Sequence, residues 1–231
     1  TVLSRGLGDV YKRQTLIIAF ISTLLTMVIA FPASFTLAFR VSENFRRWAI
    51  FLLIIPFFTS YLVRTFSWYV ILAEKGVINA LLSYINLGPF IMLNTHIGTL
   101  VGYMTLTLPL VIILQTVTMA NIDKNLIEAA YNLGCKPYLI IQRVIIPLSK
   151  TGFIIAAVFC FILSFGDFVA PFYLGGSQEP TLPILILDTT KSGQQWPRAA
   201  VVAIVMMVTL FAIAFIGIMT AYSKSFKNDK R

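Results

Sequence analysis

Two ionisable side chains stand inside long apolar runs, and their types and setting give them the most chemistry to do. Asp167 lies in ILSFGDFVAPFY and Arg64 in PFFTSYLVRTFSW. A charge among hydrocarbon is costly, so such a group marks by default a route for a solute or ion, or a bond between helices. Asp167 can attract a cation, and Phe165, Phe168 and Tyr173 nearby can add cation–π contacts worth about 0.5–2 kcal/mol each. Arg64 suits an anion or a carboxylate. The two can equally pair with each other, or with a neighbouring subunit, and never meet a solute. Gln115, Ser67 and Ser164 add hydrogen-bonding groups at lower cost. Asp167, Arg64, Gln115 and Phe168 are therefore the candidate pathway residues. The aromatic residues Phe57, Phe58, Phe66, Trp68 and Tyr69 read instead as packing or lipid-facing surface, with Trp68 and Tyr69 where an interfacial belt is expected.

Other chemistries find no residues to carry them. His96 is the only histidine, and the two cysteines, Cys135 and Cys160, lie in different environments, so neither a metal cluster nor a disulfide framework can be drawn. No GxxxxGK[ST] and no Gly-rich dinucleotide fingerprint occurs. No catalytic residue and no metal ligand is assigned. An enzyme is not expected, and if ATP drives this protein another chain hydrolyses it. Of the 231 residues 58% are hydrophobic and only 12% charged, which excludes an ordinary soluble domain. The net charge of +9 does not indicate nucleic acid, because the basic residues sit between apolar runs and form no stripe.

The elements that must position these groups are membrane helices. Five segments, roughly 15–39, 48–72, 97–120, 148–172 and 199–221, reach the length of about 20 residues that a span needs. None alternates like a strand, so an all-α polytopic bundle is expected. Arg40, Arg46 and Arg47 follow the first span, Lys124, Lys136, Arg143 and Lys150 lie in or beside 121–147, and Lys224, Lys227, Lys230 and Arg231 follow the last. The opposite connections carry only Lys75, Lys191 and Arg198. By the positive-inside rule the 121–147 segment and the C-terminus are cytoplasmic. That parity puts Arg5, Lys12 and Arg13 on the outer side, where they are unwelcome, and residues 1–14 read as an unrelated or truncated leader. Residues 15–221 form the membrane domain and 222–231 a basic tail. Pro32, Pro56 and Pro109 should interrupt three spans. The 73–96 connection is too broken to span, and with Leu81, Leu82 and Ile85 on one helical face it is expected to lie flat on the surface.

Between the third and fourth spans runs NLIEAAYNLGCKPYLIIQRVIIP, residues 125–147. Asn125 is placed to cap a helix, with Glu128 three residues on reaching back and favoured by the helix dipole. Ala129 and Ala130 are short enough to let a partner surface approach. Gly134 supplies a left-handed helix end, and Pro137 suits the first turn of the next helix. Helix, sharp turn, helix makes a protruding elbow.

Glu128, Ala129, Ala130, Gly134 and Pro147 match in register the "EAA" loop of bacterial ABC-importer permeases, which the segment resembles; Val144 and Ile146 replace the usual Ile and Leu. Gly76-x-x-Asn79-x-x-Leu82, Gly175-Gly176, Trp196-Pro197 with Ala199-Ala200, and FPASFTLA at 31–38 look like the corresponding stretches of spermidine/putrescine-type permeases. The resemblance implies a type I ABC importer permease fold, six spans in the intact protein, and an elbow that docks on a separate ATPase holding ATP and Mg, with no cofactor bound by this chain. It also implies a second permease subunit, usually a different one, an external substrate-binding protein and a lipid setting in the bacterial inner membrane. Polyamine is the expected solute, with iron, sulfate, phosphonate or another small solute as alternatives. The rival of another class is an ATP-independent secondary transporter or channel, whose inverted repeat and buried charge relay are not evident.

Overall fold

The first helix, α1 (Val2–Phe39), buries one stripe of small residues: Thr15, Ala19, Ser22, Thr26, Ala30, Ser34 and Ala38. Their spacing of three or four puts them on one face, and their size lets neighbouring backbones come close, as small residues do between helices in lipid. This computed structural model describes residues 2–176, 180–192 and 194–222, with side chains from residue 9 to 221 within those ranges. Arg5's side chain and Lys224, Lys227, Lys230 and Arg231 lie outside the described residues. The helix passes through residues 2–14 without a break and continues through Pro32, so the expected start at 15 and interruption at Pro32 are not found.

The second span is interrupted at Pro56, as expected. Helix α2 (Glu43–Ile54) runs into a 3-10 turn at Ile55–Phe58, the chain leaves helical geometry at Thr59, and α3 (Tyr61–Leu72) starts in a new direction. The two arms of this segment meet at 93°. Pro56 sits in the 3-10 turn, where its missing N–H and ring cannot continue an α-helix. A short helix α4 (Val77–Ser83) follows, then the long α5 (His96–Ala120), which runs through Pro109 unbroken.

In the 73–96 connection Asn79 is buried and clamps the loop, its amide donating to the Ala73 and Phe90 carbonyls at 3.2 and 3.0 Å and accepting from the Phe90 amide at 2.9 Å. Gly76 beside it has three backbone carbonyls within 2.8 Å of where a Cβ would stand, so no larger residue fits. Those are the physical reasons for glycine and asparagine three residues apart.

The elbow comprises α6 (Lys124–Asn132), α7 (Pro137–Ile140), a π-helical turn at Ile141–Ile145 and α8 (Ile146–Leu148). It leads at a 73° bend into α9 (Lys150–Gly166). The expected fourth span to residue 172 ends early: Asp167 is extended, and α10 (Val169–Tyr173) begins afresh. The connection after it contains α11 (Leu182–Lys191), too short to cross a membrane by itself. Its first turn, Leu182, Pro183 and Ile184, is buried, and the Leu182 amide donates to the Thr15 hydroxyl at 2.9 Å. The last helix is α12 (Trp196–Tyr222). Among the described residues three helices are long and apolar enough to cross a membrane, and the count reaches five when each bent pair is one span.

Helices α1, α5 and α9 pack on one another, with α12 against α9 and α11. Polar contacts stitch this centre: Ser22 and Ser164 share a hydrogen bond of 3.4 Å and Thr26 and Thr107 one of 3.3 Å. Glycines set the close approaches of α5 at its start. A Cβ on Gly98 would stand 2.6 Å from the Leu174 carbonyl, and one on Gly102 2.4 Å from the Ala170 Cβ.

Candidate functional site

The elbow forms from local chemistry. Asp123, not Asn125, caps α6, accepting from the Asn125 amide at 3.0 Å. Glu128 thereby falls beyond the first turn and cannot close a capping box; the cap lies two residues earlier because the chain leaves α5 through Asn121 and reaches helical geometry at Lys124. At the other end Gly134 takes φ +77°, its amide donating to the Tyr131 carbonyl and the Cys135 amide to the Ala130 carbonyl. That is a Schellman stop, and it turns the chain so that Pro137 opens α7 as expected. The π-helical turn lies just ahead of Pro147, whose missing N–H would leave a regular ladder incomplete.

The two faces of the elbow differ. Ala130 is buried with Ala38, Met119, Ile140 and Ile145, and Val144 packs on that cluster. The expectation that Ala130 meets a partner is corrected: its small side chain lets the elbow sit on its own bundle. Glu128, Ala129, Gly134 and Pro147 are exposed, and Leu133 at the tip is 84% exposed. A groove of about 350 Å³ between the end of α1 and the elbow is walled by Phe35, Phe39, Arg40, Lys124, Glu128 and Tyr131, among others.

The second candidate region lies at the start of α3 and the end of α9. Asp167 is buried, with Oδ2 accepting from the Tyr61 hydroxyl at 2.6 Å and the Ala170 amide at 3.2 Å, and Oδ1 accepting from the Val169 amide at 2.9 Å. It thus bridges the break after α9 to the start of α3. Phe168 beside it is half exposed. Tyr173 meets Phe66 at 4.8 Å and Phe172 at 4.9 Å between ring centres. Phe165 is fully buried against Phe161 and does not reach this surface.

Arg64 is elsewhere engaged. Its guanidinium donates to the carbonyls of Pro56 and Thr59, to the Thr59 hydroxyl at 3.2 Å and to the Thr105 carbonyl at 3.3 Å. Among the described residues no ion pair joins it to Asp167. Gln115 is fully buried between α1 and α5, accepting from Ser34 at 2.7 Å and donating to the Met27 carbonyl at 3.2 Å. Asp167 and Phe168 therefore come together, while Arg64 and Gln115 serve other contacts. Tyr61 was missed by sequence reading, since its partner lies 106 residues away and no local pattern joins them.

Comparison with known proteins agrees with this architecture. A family model described as binding-protein-dependent transport system inner membrane component matches residues 15–228. The spermidine/putrescine transport system permease protein PotB of Haemophilus influenzae is 28% identical over 200 residues, covering 85% of this chain and 69% of that protein. PotB of Escherichia coli K12 is 27% identical over 199 residues, covering 85% and 72%. An inward-facing structure of the MetNI methionine ABC transporter superposes with a TM-score of 0.70 at 17% identity, over 96% of this chain and 98% of that one, a likeness of fold. The chain belongs to the family of binding-protein-dependent transport system inner membrane components: it is a permease subunit of a bacterial ABC importer, a transport component rather than an enzyme, working with an ATPase and a substrate-binding protein.

Proposed function

We propose that this subunit forms part of the translocation path for a polyamine such as spermidine or putrescine. The observation that carries the reading is its similarity to the PotB permeases over 85% of its length. The chemistry around Asp167 favours the same class. A carboxylate flanked by the half-exposed ring of Phe168 suits an organic cation, while the guanidinium of Arg64, already bonded to carbonyls, is poorly available to an anion. Asp167 attracts the ammonium groups, and Tyr61 yields its hydrogen bond as they arrive.

In this reading the elbow and the C-terminus face the cytoplasm, as the distribution of Lys and Arg requires. Glu128, Ala129, Gly134 and Pro147 lie at the contact with an ATPase that holds ATP and Mg, and Ala130 supports that contact from beneath. Leu133 is the apolar group such a partner would cover. A second, different permease subunit closes the path, and a binding protein delivers solute at the opposite end.

The test is uptake of labelled spermidine and putrescine by proteoliposomes holding this subunit with its co-encoded partners, with and without internal ATP. ATP-dependent uptake competed only by polyamines is expected. ATP hydrolysis without polyamine uptake would remove the polyamine assignment and leave iron, sulfate and phosphonate to be tried.

A further inference from the structure

We infer that Arg64 is a positioning residue, a clamp that replaces the hydrogen bond lost at Pro109 and ties it to the turn at Pro56–Thr59, and so fixes the bent second span against α5. Pro109 has no N–H, so the carbonyl four residues before it, that of Thr105, lacks its helical donor. Arg64 donates to that carbonyl at 3.3 Å. The other side of the guanidinium reaches the carbonyls of Pro56 and Thr59 and the Thr59 hydroxyl, where the 3-10 turn ends and the chain bends by 93°. The Pro56 carbonyl already accepts from the Thr59 amide and hydroxyl, so Arg64 adds to this turn; carbonyls at a helix end carry the negative end of the dipole, and a cation is favoured there.

A planar fork with five donors can serve both helices at once; an ammonium cannot. In hydrocarbon the alternative for Thr105 is a bare carbonyl, which is a reason for a charge to be kept within a span. Tyr61 stands one turn before Arg64 on α3 and bonds to Asp167, so the clamp also fixes the helix that presents this hydroxyl. Arg64 acts on the path through main-chain geometry and touches no solute.

The clamp rests on the permease assignment but on no particular solute. The test uses the complete transporter in nanodiscs, with Arg64→Met, Arg64→Lys, Pro109→Ala and Arg64→Met/Pro109→Ala. Melting midpoints are read, together with ATP hydrolysis driven by the co-encoded binding protein loaded with spermidine. Arg64→Met should lower the midpoint by about 5 °C, as loss of charged hydrogen bonds in a domain of this size does. The maximal hydrolysis rate should fall roughly tenfold while the half-saturating binding-protein concentration stays within about twofold, since geometry and not recognition is lost. Arg64→Lys should lie between. An alanine at 109 restores an N–H for Thr105, so Pro109→Ala should recover about half the midpoint loss in the Arg64→Met background while changing little alone. Additive single and double variants, an unchanged midpoint in Arg64→Met, or a half-saturation shift of roughly tenfold at constant maximal rate would each overturn the clamp. If Arg64→Met does not assemble, recovery of assembly by Pro109→Ala is the supporting result and its failure the opposing one. Wild-type complex that spermidine-loaded protein does not stimulate would sink the polyamine reading alone, because the midpoints still decide the clamp.

Discussion

Both carboxylate oxygens of Asp167 are engaged, one by the Val169 amide and the other by the Tyr61 hydroxyl and the Ala170 amide. Two of these donors are main-chain groups that begin α10, so the carboxylate has a structural task before any solute arrives. Charge and shape can be separated by substitution. Asp167→Asn keeps an acceptor and the volume but loses the charge; if the charge draws cations into the path, uptake should fall at least roughly tenfold while the complex purifies in normal yield. Tyr61→Phe keeps the charge and removes one donor, so uptake should stay within about threefold while the melting midpoint drops a few degrees. Normal uptake by Asp167→Asn would confine Asp167 to holding the break between α9 and α10.

At the scale of elements, the elbow shows how much a contiguous stretch can reveal. Gly134 stands at φ +77° with nothing within 4 Å of where its Cβ would be. Substitution there costs backbone strain alone, about 1–2 kcal/mol for most residues and less for asparagine. ATP hydrolysis coupled to uptake should accordingly rank wild type, then Gly134→Asn, then Gly134→Ala, with Gly134→Asp uncoupled once a charge is set beside Leu133 at the docking tip. Equal coupling in all four would show that the turn does not carry force. This turn was legible because Gly134, Cys135, Lys136 and Pro137 act on their own neighbours. The cap was misplaced by two residues, since Asp123 and Asn125 are both good caps and only the exit from α5 decides between them. Helix α11 carried local signals, with Thr181 at the cap, Pro183 in the first turn and Lys191 in the last, but its length fell short of a span. The break at Asp167 and the seat of α11 depend on contacts across 106 and 167 residues, and no periodicity encodes those.

On the scale of the whole molecule, the bundle divides into a stitched centre and two segments that join it at sharp bends, the second span and the elbow. Helices α1, α5 and α9 meet through small residues and hydroxyl contacts, whereas the second span and the elbow bend sharply where they join the rest. Small residues bring the backbones close, and a hydroxyl or amide between them has no water to return to, so the centre should move as one body while the second span and the elbow take up the change of state. Gln115 discriminates this view from one in which polar groups in spans line the path. Its amide links Ser34 and Met27 of α1, and it is fully buried between the two helices. Gln115→Leu fills nearly the same volume but leaves Ser34 and the Met27 carbonyl without that partner. Each hydrogen bond between membrane helices is worth about 0.6–1.7 kcal/mol, so the melting midpoint of the complex should fall by several degrees. The concentration of solute for half-maximal uptake should not move, because nothing in the stitched centre reaches solute. A shift in that concentration at unchanged midpoint would put Gln115 on the path and split the centre that α1 and α5 form.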